Sequence, residues 1–214
     1  MRRDIAFTVG GCLLFIAVVM VAFVYSVVRD VGLTDEGLVE RGAVILPRPR
    51  EAAAVTLVDE DGQPWTTDSL ATGNWTLAYF GFTNCPDICP VSLAVMAEAR
   101  KLMDADGNPP FDVTLVSVDP ERDTPDQLRE FVRWFDDDFK GVTGDHGEIA
   151  RLATSVNVAF GKVPGQTPEN YAVDHTGNII VINPYGHYHG FLKMPHEAPA
   201  IAEIMHTLTL RWQG

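Results

Sequence analysis

The sequence predicts an α/β domain of the thioredoxin-like fold class with an N-terminal transmembrane helix, and three observations predict it. An uncharged apolar run occupies residues 5–28. Beyond it, apolar runs of strand length alternate with helical patterns. The chain then closes with a hairpin signal and an amphipathic helix, which completes the element order of that class.

The N-terminal run, IAFTVGGCLLFIAVVMVAFVYSVV, follows MRRD and carries no charge. As a helix it covers roughly 36 Å, enough to span a bilayer with some tilt. It is longer than the apolar region of a cleavable signal and has no A-x-A-like exit, so a retained anchor is the better reading. Cys12 precedes most of the run, the wrong order for a lipid-modified cysteine, and reads as an inert residue of the helix. Arg2 and Arg3 stand before the run, while Arg29 is balanced by Asp30. The positive-inside bias therefore predicts a cytoplasmic head at residues 1–4, a single pass through the inner membrane and a periplasmic domain.

Charge narrows the partners. The chain holds 29 Asp plus Glu against 16 Lys plus Arg, and an acidic surface repels phosphate backbones, which argues against nucleic acid.

Residues 29–54 mix charges without a sustained period and read as a linker, so the thioredoxin-like domain is expected at 55–214. VTLVD and the polar EDGQPW read as a strand and a hairpin turn. TLAYFGF (76–82) is a continuous apolar run, as expected of a strand buried on both faces. A helix is predicted at 92–105, with Leu93, Met96, Ala97, Arg100 and Met103 along one face. FDVTLVSVD (111–119) is a second core strand. TPDQ at 124–127 opens a helix: Thr caps it, Pro takes the first helical position and Gln stands three after the cap. A short helix follows at 147–158. NIIVINPYGHYHGF (178–191) reads as a hairpin turning at Asn-Pro-Tyr-Gly, and 198–212 as a closing helix.

The chemistry centres on GFTNCPDICP, where Cys85 and Cys89 lie between a buried strand and the opening of a helix. Ligands collect at the carboxyl ends of strands in open α/β sheets, and a helix start favours thiolate over thiol. Three readings are open: a structural pair, a dithiol for thiol–disulfide exchange, and a copper site. Three residues separate the sulfurs, where dithiol oxidoreductases of this fold favour two; a bridge still needs only modest adjustment. Two soft thiolates suit Cu(I) and an imidazole adds a third ligand, whereas zinc normally takes four. His175, in YAVDHTGNIIVI ahead of a core strand, is placed by the fold class beside the active-site helix. Asp174 either orients His175 or caps the turn.

YFGFTNCPDICP, VSVDPERDTPDQL and YAVDHTGNIIVINPYG, in that order and spacing, resemble the Sco/SenC family of copper-binding assembly factors. The resemblance covers residues 55–211 together with the anchor. It implies copper, as Cu(I) or Cu(II), bound by Cys85, Cys89 and His175. It also implies delivery of copper to the dinuclear copper A centre of cytochrome c oxidase subunit II. The alternative it leaves is a thiol–disulfide oxidoreductase, with Cys85 and Cys89 as the redox pair, that keeps the oxidase cysteines reduced. Either role needs a periplasmic copper donor or thiol reductant.

Two features lie beside this reading. Asp119, Arg122 and Asp123 can brace the loop next to the site or form a partner surface. His187, His189, Met194 and His196 offer copper-compatible donors in a short span, although His187 and His189 read more simply as one exposed face of an edge strand.

Overall fold

The computed structural model describes residues 2–29, 32–167 and 170–212, with side chains at 10–24, 32–165 and 171–212. The elements run α1 (Arg2–Arg29), α2 (Asp35–Glu40), β1 (Ala43–Glu51), β2 (Thr56–Asp59), β3 (Pro64–Thr66), β4 (Thr76–Gly81), α3 (Ile88–Ala105), β5 (Asp112–Ser117), α4 (Pro125–Arg133), β6 (Lys140–Thr143), α5 (His146–Ser155), β7 (Phe160–Thr167), β8 (Asn170–His175), β9 (Ile179–Ile182), β10 (His187–Leu192) and α6 (Ala198–Arg211). A 3-10 turn at Thr67–Leu70 joins β3 to β4.

Eight strands form one sheet in the order β1-β10-β9-β4-β5-β6-β2-β3, and β7 and β8 form a separate hairpin. β4 is the axis: it runs parallel to β5 and antiparallel to β9. Every residue of β4 and β9 is buried, which is why both read as unbroken apolar runs. Helices α3 and α6 pack together, while α4 covers β6 and α5 covers β2. This is the thioredoxin-like α/β arrangement the sequence predicts. The predicted capping box is also present: Thr124 Oγ1 accepts from Gln127 N, and Gln127 Oε1 accepts from Thr124 N.

The N-terminal half of the domain differs from the expectation. The stretch predicted as a linker, 29–54, contains α2 and β1, and β1 pairs antiparallel with β10. Pro47 and Pro49 disguise this strand in the sequence. They fall where its register shifts, between Ile45 and Arg50, and proline is tolerated at such a bulge on a sheet edge. Gly190 makes the pairing possible, because Val44 O lies 2.2 Å from where a Cβ at 190 would sit. β10 is therefore an interior strand, not the exposed edge predicted.

Helix α1 is 28 residues long. Its described apolar side chains, from Leu13 to Val24, are exposed all round and pack against nothing in the core. Among the described residues no helix is long and apolar enough to cross a membrane. Both ends of the anchor predicted at 5–28 fall on residues whose side chains lie outside those described.

Candidate metal centre

β4 ends at Gly81, and residues 82–87 turn the chain into α3. The helix begins at Ile88, four residues before the predicted start, because Pro90 sits in the first turn where backbone donors have no intrahelical acceptor. Asp87 occupies the cap position but makes no side-chain cap bond. A sulfur does this instead: Cys89 N donates to Cys85 Sγ at 3.4 Å. Both cysteines are free thiols, Cys85 at 9% exposure and Cys89 at 0%.

Gly81 explains how Cys89 reaches its place. A Cβ at 81 would stand 2.9 Å from Cys89 Sγ and 3.1 Å from Tyr79 Cε1, so the sulfur lies where any side chain on the strand would be. A glycine inside an apolar strand is the sequence signal for such an approach, and sequence reasoning passed over it.

His175 is the last residue of β8 and arrives from the hairpin rather than from the main sheet. The edges of Tyr79 and Phe82 meet its ring at 5.9 Å each. Its Nδ1 donates to Thr176 O at 3.3 Å, which fixes the tautomer and turns the Nε2 lone pair toward the cysteines. Nε2 stands 3.5 Å from Cys89 Sγ. Asp174 is exposed, so the Thr176 carbonyl, and not this carboxylate, orients the ring.

The ligand atoms of Cys85, Cys89 and His175 all lie within 4.8 Å of one another, and among the described residues no other three His, Cys, Asp or Glu gather this way. Metal–sulfur and metal–nitrogen bonds of about 2.0–2.3 Å put the donors of a three-coordinate ion roughly 3.5–4 Å apart. The trio fits such an ion with little rearrangement. Two thiols and a neutral imidazole are a soft donor set, suited to Cu(I).

Burial sets the protonation of the site. It pushes the Cys89 thiol up, with the hydrogen bond to Cys85 adding to the rise. The helix start works against this, but a dipole contribution of about 0.3–1 kcal/mol does not offset the burial of a thiolate. Burial also holds His175 below its ordinary value, opposed by the Thr176 carbonyl and the Asp174 charge. The apo site thus presents a protonated Cys89 and a neutral His175, and a metal entering it displaces a thiol proton.

The segment after β5 braces the cysteine loop. Asp123 is buried and accepts from Thr83 N (3.1 Å), Thr83 Oγ1 (2.6 Å) and Ser117 Oγ (2.6 Å). Asp119, also buried, accepts from Tyr171 Oη at 2.6 Å and pairs with Arg122. Arg122 lies 3.9 Å over the Tyr171 ring and donates to Tyr171 O, tying this segment to the hairpin that carries His175. Bracing is therefore the role these residues play, with two of the three sealed from solvent.

The copper-compatible donors in 187–196 do not gather into a second site among the described residues. His189 meets the edge of Trp75 at 4.9 Å with Trp212 beside it, His187 neighbours Tyr185, and His196 donates to Gly177 O. The alternation that puts 187 and 189 on one face is real, but tryptophans cover that face at 189. Grooves of about 460 and 530 Å³ lie away from the thiols, one between β1 and Trp212 and the other between α3 and α6.

A thioredoxin-like domain with two thiols and one imidazole converging at a strand end is a protein of metal or thiol exchange. Residues 46–210 match the SCO1/SenC family model. The chain is 37% identical over 136 residues to an SCO2-like protein of Rickettsia conorii, covering 62% of this chain and 64% of that one. It matches copper-bound ScoI of Arabidopsis thaliana with a TM-score of 0.69 at 32% identity, covering 75% of this chain and 99% of that structure. BsSco, a member of the Sco family of cytochrome c oxidase assembly proteins in which a disulfide switch was identified, aligns with a TM-score of 0.58 at 26% identity, covering 78% of this chain and 96% of that structure. The chain belongs to the SCO1/SenC family.

Proposed function

We propose that this chain is a membrane-anchored copper chaperone that delivers copper to the dinuclear copper A centre of cytochrome c oxidase subunit II. The observation that carries the reading is the convergence of Cys85 Sγ, Cys89 Sγ and His175 Nε2 within 4.8 Å. Copper-bound relatives of the same fold support it, as does the oxidase-assembly role of the Sco family.

Cys85, the more exposed thiol, meets the ion first. Each thiol gives up its proton to solvent as its sulfur bonds to the metal, Cys89 after Cys85. His175 supplies the third ligand without losing a proton. Three ligands leave the ion open to an incoming donor from the acceptor, so the metal can leave by exchange. An oxidised pair has no thiolate to offer, and thiol redox state therefore gates loading.

Residues 5–28 form the anchor, with the head at 1–4 cytoplasmic and the domain periplasmic. A 28-residue helix whose described apolar side chains find no core supports this. Protease added outside spheroplasts should remove the domain and spare a short N-terminal fragment; an untouched chain would reverse the topology.

The experiment is anaerobic titration of the full chain in detergent with Cu(I) and Cu(II) against a competing chelator, beside His175→Ala. One copper per chain is expected. The variant should lose Cu(II) affinity by about 100-fold or more and Cu(I) affinity by less, since two thiolates still satisfy the softer ion. The second reading, a reductase of the oxidase cysteines, is favoured by two free thiols whose sulfurs lie within 4.8 Å of each other. Non-stoichiometric copper binding indifferent to His175 would move the assignment there.

A further inference from the structure

One soft donor beside the site is still without a role. Of the six methionines, Met96, Met103 and Met205 are sealed in the core, and Met1 and Met20 precede the domain. Met194 alone combines half exposure with a place in the folded domain. Its Sδ stands 2.7 Å from the point a Cβ on Gly177 would occupy, and Ile88 Cδ1 stands 3.2 Å from the same point. The thioether is thus laid on the Gly177 turn against Ile88. Gly177 follows His175 by two residues, and Ile88 immediately precedes Cys89. Met194 Sδ therefore lies on the turn that follows His175, a turn that the residue before Cys89 also touches.

The placement is held by design of the loop rather than by chance packing. His196, two residues beyond Met194, donates from Nε2 to Gly177 O at 2.8 Å and pins the β10–α6 connection to the ligand turn. Glycine at 177 carries no positive φ, and the space its missing side chain leaves is filled by Met194 Sδ and Cε. A methionine serving only as filler would be buried, as the three core methionines are; this one keeps half its surface in water.

We infer that Met194 is an accessory ligand for Cu(I) at the rim of the Cys85–Cys89–His175 trio, engaged as the ion enters and leaves. The inference rests on the copper reading above. A thioether is soft and neutral, so it favours Cu(I) over Cu(II), and three rotatable bonds let it swing over the trio from the rim. In the exchange step its sulfur lone pair bonds to Cu(I) as one bond from the trio breaks. The metal stays Cu(I) and no proton moves, because a thioether carries none. Such a bond is too weak to keep the ion, which is what a ligand of passage requires.

The test uses the full chain in detergent with selenium in place of methionine sulfur, loaded anaerobically with Cu(I). X-ray absorption at the selenium edge, on samples frozen while Cu(I) passes to bathocuproine disulfonate, should show a copper neighbour, and Met194→Leu should abolish it. The same variant should pass Cu(I) to bathocuproine disulfonate about tenfold more slowly, with Cu(II) affinity unchanged. Absence of copper–selenium scattering together with an unaltered transfer rate overturns the inference. Equal losses for Cu(I) and Cu(II) also overturn it, since they mark a residue that merely holds the loop. A parent chain that binds no stoichiometric copper overturns the copper reading itself, and this inference with it.

Discussion

The carboxyl ends of two adjacent parallel strands do opposite things. After β4, the chain leaves two sulfurs without strong partners, facing the His175 imidazole that the β7–β8 hairpin brings in. After β5, it surrounds Asp119 and Asp123 with hydroxyl, amide and guanidinium donors, and only Arg122 Nη2 lacks a partner there among the described residues. One end keeps its donors for a cargo. The other spends them on the protein. Substitutions at the β4 end should therefore change binding and spare stability, while those at the β5 end should change stability first.

The largest effect is expected from Cys85→Ser. Copper affinity should fall by more than about 100-fold, yet the melting temperature should hold or rise slightly, because a serine hydroxyl accepts a backbone N–H better than the sulfur now receiving Cys89 N. Chelator competition and thermal unfolding of one preparation decide it. A variant that loses copper by unfolding would break the comparison.

Asp123→Ala should invert the pattern. It orphans Thr83 N and leaves a void beneath the cysteine loop, at a cost of about 2–4 kcal/mol in denaturant unfolding. Copper binding by the folded fraction should persist. Unchanged stability would show that the network is not a brace.

Gly81→Ala sits between the two ends. Its methyl group would compete with Cys89 Sγ and the Tyr79 ring, and overpacking of this kind costs about 1–3 kcal/mol. Because the displaced atom is a ligand, Cu(I) affinity should also fall, and by more than in Asp123→Ala. A loss of stability alone would mean that the sulfur relocates freely.

The smallest effect is expected from acid. Burial holds His175, His189 and His196 below the ordinary histidine range. Their folded-state values lie beneath the unfolded value of about 6.5, so the unfolded chain takes up protons first. The stability they contribute is present above that pH and is lost as pH falls through the folded values. Denaturant midpoints of the apo protein between pH 7.5 and pH 5 should decline steadily. His189→Gln should flatten part of that slope.

Much of this was legible in residues that serve one purpose. The capping box at 124–127 is local and was read correctly, because a cap depends on neighbours three positions apart. The two core runs at 76–82 and 111–119 were legible because strands buried on both faces leave an unbroken apolar signature. Cys85, Cys89 and His175 converge as expected, although the path to His175 runs through a hairpin, β7–β8, that the sequence reading did not anticipate. What it missed depends on distant partners. β1 looks like a linker until Gly190 opens a place for Val44, and Gly81 looks like an imperfection until Cys89 fills the space. His189 looked exposed because nothing near it in sequence announces Trp75 and Trp212.

The joining of β1 to β10 also shortens the leash. Were residues 29–54 slack, the domain would roam roughly 90 Å from the end of α1. Instead Leu33 N already donates to Thr207 Oγ1 on α6, and Arg211 meets Asp35, so the chain is stitched to the domain from residue 33 onward. Only residues 30–32 intervene between Arg29 and that first stitch, a reach of roughly 14 Å at full extension. Under the proposed anchoring of α1, the domain would patrol a thin shell just above the bilayer. An acceptor in the same membrane would then meet a far higher local concentration of this protein than of a free-swimming one, and encounter would become a search in two dimensions.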